Sequence, residues 1–467
     1  MHESEDIKTL SLSQLQTIMS HIPGILDWNA GVLYNRSQKS ESMYKWIKEG
    51  KYGGLQYMAD TVEQRIHPKL EHPWARSVLI YLFPYPEKWN FQEPYLPKKR
   101  TLVPDQKSKG PKIARYAQGP DYHFVAQRVN GTLGQSLQNL FATDLRWKAF
   151  SDSYPLWERD LAAELGLGFR AKNTCLIHPR WGSGFFIAGL ILECELEFLE
   201  SSSSKVLSVN NLNAGHLNPK GSGHPPLPSC GSCQLCIDAC PTKALKAPGV
   251  LDAGLCISTW TIEKKEQIPP SIAEKLSGWV FGCDICQEVC PWNHKNEERQ
   301  GVKVTEFWNS FAQANTDSTS TIAPKNSTSK NFTSKKSTHI VLPLAQLDTL
   351  SKAGHTAVNT RKVILPQEPS KLLQLCSSGG GLQKLIRGTA LMRAGRKKIL
   401  RNILVDYQNT LKKQNIQKPL DPFVQDLKKG LDFVLNKESD ETILLLASRI
   451  KKMIGEMECL TQIFPKV

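Results

Sequence analysis

Eight cysteines between Cys230 and Cys290 constrain this chain more than any other feature of its 467 residues. The first four read Cys230-Gly-Ser-Cys233-Gln-Leu-Cys236-Ile-Asp-Ala-Cys240-Pro241, the C-x2-C-x2-C-x3-C-P run of bacterial ferredoxins. The second set is Cys256, then Cys283-Asp-Ile-Cys286-Gln-Glu-Val-Cys290-Pro291. Three thiolates at this spacing wrap a tight loop around one face of an iron–sulfur cube. The fourth, on a short helix pointing away, ligates the other cube. Crossing the two sets gives two complete [4Fe–4S] sites. Cys230, Cys233, Cys236 and Cys290 hold one; Cys240, Cys256, Cys283 and Cys286 hold the other. Two zinc sites are the bland alternative, since C-x2-C pairs are common zinc hooks. Zinc does not explain two C-x2-C-x3-C-P ends with no histidine interleaved. Cys175, Cys194, Cys376 and Cys459 stand apart and are read as small buried residues.

The start, MHESEDIKTLSLSQLQ, lacks the basic and apolar stretches of a signal peptide. The most apolar run, Gly182 to Leu192, is well short of the roughly 20 residues that cross a bilayer. Clustered thiols in a reducing compartment bind metal more often than they form disulfides, so a cytoplasmic protein without a membrane segment is expected. Lys plus Arg is 59 against 44 acids, a net charge of +15. A surplus of that sign suits a polyanionic partner.

Ser77–Phe83 and Phe185–Leu192 read as buried strands, and Leu156–Leu165 as a helix stopped by Gly166. Strands alternating with helices argue for an α/β or α+β domain over residues 1–200. Residues 201–298 form a ferredoxin-like two-cluster domain led by a linker, Ser201–Pro228. Residues 299–340 read as a low-complexity linker or insertion, because Gln313–Thr338 is too polar to offset its ordering entropy. Residues 341–467 read as an all-α domain. Within it Leu382–Asn409 has the spacing of two short amphipathic helices joined near Gly395, followed by helices around Pro422–Leu435 and Glu441–Ile463.

The stretch Arg387–Arg401 carries Arg387, Arg393, Arg396, Lys397, Lys398 and Arg401, with no acid. Solvated faces usually mix signs, so an acid-free run on paired helices reads as a stripe for RNA phosphates. Two cubes imply a one-electron relay. With 229 residues before Cys230 and 177 after Cys290, a further prosthetic group or substrate belongs at the end of the wire.

At several places the chain resembles the epoxyqueuosine reductase family. The likeness lies in Trp46–Met58 (WIKEGKYGGLQYM), Arg115–His123 (RYAQGPDYH), Asp152–Arg159 (DSYPLWER) and Lys172-Asn173-Thr174 followed by Leu176-Ile177. It continues through both cysteine sets, with Cys256-Ile-Ser and Thr261-Ile262-Glu263, and ends at Arg387–Asn402 (RGTALMRAGRKKILRN). The resemblance implies cobalamin in the N-terminal domain beside one cluster, and a HEAT-like C-terminal domain that grips the anticodon stem-loop of a tRNA with a GUN anticodon. It implies removal of an epoxide oxygen, with electrons from an external donor passing through the clusters. Asp152 matches the family's catalytic aspartate; its residues alone would make it a helix N-cap ahead of Pro155. Arg115, Tyr122, His123, Lys172 and Asn173 match positions lining the cobalamin or substrate cavity. Gly282, Cys283 and Asp284 place a cluster loop against the cofactor by the same analogy. A monomer is expected. Phe169-Arg170-Ala171 departs from the aromatic-x-Gly usual before Lys-Asn. Two other readings remain: a reductive dehalogenase-like enzyme, usually exported, and a non-enzymatic iron–sulfur electron-transfer or RNA-binding protein.

Overall fold

The computed structural model describes residues 8–34, 40–86, 110–141, 144–197, 206–207, 228–294, 307–308, 363–378, 380–413 and 421–463. A five-stranded sheet organises the N-terminal part. Its strands are β1 (Asp27–Val32), β2 (Ser77–Pro84), β3 (Trp147–Phe150), β4 (Phe185–Leu192) and β5 (Val206–Leu207), in the order β5-β1-β2-β4-β3. Every pairing is antiparallel. The architecture is therefore mixed, with helices packed on an antiparallel sheet, and the parallel α/β alternative is not what forms.

Both faces of β2 are covered, which explains why all eight of its residues are buried. Leu79, Tyr81 and Phe83 point to the helix α1 (Tyr122–Phe141), whose Tyr122, Val125, Ala126, Val129, Leu133 and Leu137 recur at helical spacing. Val78, Ile80 and Leu82 point the other way, to Leu156, Ala162 and Leu165 around the helix α2 (Glu158–Glu164). That helix starts after the expected Leu156, and Gly166 ends it at φ +78°. Gly189 of β4 is required by close approach: a Cβ there would stand 2.0 Å from the Leu79 carbonyl oxygen.

The cysteine block follows, with the helix α3 (Ile257–Ile262) beginning directly after Cys256. The C-terminal helices are α4 (Pro369–Ser377), α5 (Gly381–Ile386), α6 (Gly395–Lys413), α7 (Pro422–Lys437) and α8 (Glu441–Ile463). The stretch expected as two short helices contains α5, a 3-10 turn over Ala390–Arg393, and a 19-residue helix that begins at Gly395 and runs past Asn409. Gly395 has φ +70°, so it breaks the chain from the turn and the helix propagates freely behind it.

The expected domain boundaries need two corrections. Val206 and Leu207, assigned to a leading linker, form the edge strand β5 of the N-terminal sheet. Phe307 and Trp308, assigned to a linker, are core residues. Phe307 stacks on Phe83 at 5.2 Å between ring centroids, and the Trp308 indole N–H donates to the Pro84 carbonyl at 3.2 Å. Composition over a long window hid this apolar pair. The rest of Ser201–Pro228, apart from Pro228 itself, and all of Gln313–Thr338 lie outside the described residues. One apolar cluster runs from the sheet through Ile262, Val280 and Phe281 to Leu372, Leu404 and Ile454, so the parts share a core.

Candidate active site and electron relay

The eight thiols gather into the two crossed sets. Cys230, Cys233, Cys236 and Cys290 line a cavity of about 200 Å³ with Ala171, Ile177 and Trp292. Burial pushes the Cys236 thiol up to about 11, with Cys230 and Cys233 adding to the effect, and pushes Cys290 up to about 12, with Cys230 and Cys236 adding. In the second set burial raises Cys256, which also feels Cys240. It raises Cys283 further, with Cys256 and Cys240 adding. Thiols in such surroundings ionise when a metal takes them. Among the described residues no group of three His, Cys, Asp or Glu side chains is placed to hold a single metal ion.

Lys172 and Asn173 brace this relay. Lys172 Nζ donates to the carbonyls of Gly231 and Cys233, each at 2.8 Å, and Asn173 Nδ2 donates to the Cys286 carbonyl at 3.1 Å. They frame the cluster loops and do not line the larger cavity beside them. Ala171, in the place of the usual glycine, is buried, and its N–H donates to the Cys175 carbonyl. The left-handed residue of this turn is Thr174, at φ +68°, so Ala171 suits a position that needs no glycine.

The larger cavity, about 510 Å³, lies between the sheet and the second cysteine set. Aromatic side chains Tyr57, Tyr85, Tyr116, Tyr122, Trp157 and Phe186 make much of its wall, and Arg65, Glu158, Ser183, Ser258 and Gln287 add polar groups. Ser258 and Gln287 are close neighbours in sequence of Cys256 and Cys286, so one side of the cavity is the back of a cluster site. Cys175 also belongs to the wall. It is not the small core residue expected, and neither is the exposed Cys459; Cys194 and Cys376 are buried.

Asp152 stands at this cavity. Its Oδ2 accepts from the Tyr122 hydroxyl at 2.9 Å and from Arg393 Nη1 at 3.1 Å, with His123 Nε2 at 3.8 Å. It caps no helix: the N-cap of α2 is Trp157, and Asp152 takes φ +57°. Its N–H donates to Glu158 Oε1 at 2.6 Å. Burial raises Glu158 well above the ordinary glutamate range, and the nearby Asp152 carboxylate adds to this against Arg159 and Arg65.

Other expected site residues sit elsewhere. Arg115 and Asp284 line a separate cavity of about 380 Å³ beyond the cluster loop. There the Arg115 N–H donates to Asp284 Oδ2 at 2.7 Å, and the Arg115 side chain pairs with Glu288 at 3.6 Å. Gly282, at φ +70°, is needed where a Cβ would meet Ala114 at 2.5 Å. His123 reaches the large cavity by stacking on Tyr122, 4.1 Å between centroids, and by its Nε2 near Asp152 at 3.8 Å.

The six basic residues do not form one stripe. Arg401 is buried, and its guanidinium donates to the carbonyls of Trp260, Lys264 and Glu266. Lys398 donates to the carbonyls of Ile262 and Glu263. Arg396 pairs with Glu438 at 2.5 Å, Lys397 with Asp440 at 2.9 Å, and Arg393 with Asp152 and Glu263. Arg387 is exposed. The run is acid-free only along the chain; the fold brings acids to it from four distant positions. Sequence reasoning missed Glu158, Glu263, Arg65 and Gln287 as cavity residues. Glu158 was within the Asp152–Arg159 run, yet no spacing rule marks one carboxylate of a helix start as buried.

Residues 229–293 match the family model described as 4Fe-4S double cluster binding domain, so the chain carries two [4Fe–4S] clusters. Residues 65–153 match the model described as Epoxyqueuosine reductase QueG, DUF1730. The chain is 34% identical over 267 residues to the epoxyqueuosine reductase of Cyclobacterium marinum, covering 56% of this chain and 74% of that one. It is 33% identical over 259 residues to that of Synechocystis sp., covering 55% and 76%. A crystal structure of epoxyqueuosine reductase with an epoxyqueuosine-modified tRNA-Tyr stem loop shares the fold, with TM-score 0.57 and 20% identity over 95% of this chain and 98% of that one. A Bacillus subtilis epoxyqueuosine reductase structure, with its catalytic aspartate loop swung out of the active site, has TM-score 0.56 over 94% and 98%. With relatives above 30% identity matched over about three quarters of their length, the chain belongs to the epoxyqueuosine reductase family.

Proposed function

We propose that this protein reduces epoxyqueuosine to queuosine at the wobble position of tRNA. The observation that carries the reading is the place of Asp152: a carboxylate at the mouth of an aromatic cavity whose far wall is the back of a cluster site. Epoxide removal consumes two electrons and two protons and yields an alkene and water, so electron entry and proton supply must meet at one cavity. Here they do.

The cavity suits cobalamin. A corrin is a flat apolar disc edged with amides; Tyr85, Tyr116 and Phe186 offer flat walls, and Arg65, Glu158 and Gln287 offer partners for amides. Bound there, cobalamin would supply a metal centre able to collect single electrons and deliver a pair. The chain's own residues do the rest. The Cys240–Cys256–Cys283–Cys286 set adjoins the cavity. The other set, whose Gly231, Ser232 and Gln234 are exposed, faces an external one-electron donor. Asp152 gives the departing oxygen a proton, steered by Tyr122.

The same reading assigns three working parts, a catalytic unit over 1–200, the cluster unit over 201–298 and a HEAT-like RNA-gripping unit over 341–467, in a monomer of the cytoplasm. No helix among the described residues is long and apolar enough to cross a membrane. Anaerobic turnover of an epoxyqueuosine-modified tRNA stem-loop by the reconstituted protein tests the function. Queuosine in the product supports it. Unchanged epoxyqueuosine, with both clusters reduced and corrinoid bound, overturns it. Corrinoid retention also separates this reading from a plain electron carrier.

A further inference from the structure

Arg393 lies in the 3-10 turn ahead of α6, 241 residues along the chain from Asp152, yet its guanidinium joins two carboxylates at the cavity. Nη1 stands 3.1 Å from Asp152 Oδ2 and Nη2 stands 2.9 Å from Glu263 Oε1. Glu263 follows directly on α3, the helix that begins after the cluster cysteine Cys256. Two nitrogens of one planar fork on two separate acids fix the plane of the guanidinium, which a lysine could not reproduce.

Besides Arg393, Asp152 is bonded by the Tyr122 hydroxyl and, through its backbone N–H, to Glu158. Its side chain is 51% exposed, so packing does not choose its rotamer. Its backbone is left-handed, in a stretch without regular structure between Ser151 and Pro155. Tyr122 and His123 approach it from α1 alone. The opposing partner is Arg393.

We infer that Arg393 is a positioning residue: from the C-terminal helical region it holds the Asp152 carboxylate at the cavity, anchored in turn by Glu263. The acid is in register only while that region is docked, so the part of the chain assigned to RNA completes the reaction site. This inference rests on the reductase reading and changes the role of one residue that its sequence neighbourhood assigns to phosphates.

Exposed ion pairs add little to stability, so Arg393→Ala folds. Placement is more demanding, since a misplacement of about 1 Å can lower turnover by the order of a hundredfold. The test is anaerobic turnover by the full, reconstituted protein, with kcat and KM for the modified stem-loop measured separately, and amide exchange across residues 150–157. Arg393→Ala is expected to lower kcat at least about tenfold with KM moved less than about threefold, and to speed exchange of that segment. Arg393→Lys recovers part of the loss, and Glu263→Gln shows a smaller loss of the same kind. A raised KM with unchanged kcat makes Arg393 an RNA contact and overturns the inference. So do wild-type kinetics with unchanged exchange. If the wild-type protein itself leaves epoxyqueuosine intact, the functional reading fails first and takes this inference with it.

Discussion

The backbone N–H of Asp152 donates to Glu158 Oε1 at 2.6 Å, joining the exposed carboxylate at the cavity to one raised by its burial. The groups facing Glu158 are Asp152, Arg159 and Arg65. Desolvation outweighs the two arginines, so the folded protein favours the neutral acid. Below the ordinary glutamate value of 4.5 both folded and unfolded states hold the proton. Above it the unfolded chain gives the proton up while the folded one keeps it, so stability is lost as pH rises through the folded value. Glu158→Gln keeps an acceptor for the Asp152 N–H and removes the titration. Melting curves should show the variant gaining on the wild type as pH rises from about 5 to 8. A difference flat across that range would mean Glu158 is ionised throughout.

Arg401 and Arg387 should behave oppositely. Replacing Arg401 by Lys abandons a buried fork on three carbonyls and should cost about 2–4 kcal/mol in denaturant unfolding. The salt dependence of RNA binding should stay put. Arg387→Ala should leave stability within about 0.5 kcal/mol and reduce the slope of log K against log salt by about one. Equal slopes in both variants would return Arg387 to the ordinary solvated surface.

The crossed cysteine sets can be separated by iron counting. Cys290→Ala should remove the cluster of Cys230, Cys233 and Cys236, and Cys286→Ala the one beside the cavity, each leaving about four of eight irons. The remaining cluster should differ in its electron paramagnetic resonance signal between the variants. Loss of both clusters in the Cys290 variant, under conditions where Cys286→Ala keeps one, would contradict independent sites.

Trp308 tests the boundary between linker and core. Trp308→Ala removes a buried indole and its hydrogen bond to Pro84, which should destabilise by about 3–5 kcal/mol. A tethering segment would tolerate the change.

How much was legible in the sequence varied with the range of the forces involved. The strands Ser77–Phe83 and Phe185–Leu192 were readable because burial on both faces leaves a continuous apolar run. The cluster cysteines were readable because the cube imposes local spacing. Helices α7 and α8 were readable from period and from Pro422. The fate of Arg387–Arg401 was not, because its acids come from Asp152, Glu263, Glu438 and Asp440, far away in sequence. The bonds of Lys172 were hidden for a related reason. Its position in the chain was informative, but the target of its ammonium group was set by a loop about 60 residues on.

Lys398 and Arg401 close the carboxyl end of α3, donating to the carbonyls of Trp260, Ile262, Glu263, Lys264 and Glu266. Asn402 adds bonds to Thr261 and Val280. Cations at that end also suit the helix dipole. The other end of α3 starts at Cys256. A single short strut therefore runs from a cluster ligand to the helix that carries the C-terminal region. Tunnelling rates fall steeply with distance, and a strut of this kind ties the position of a cluster ligand to the packing of α6.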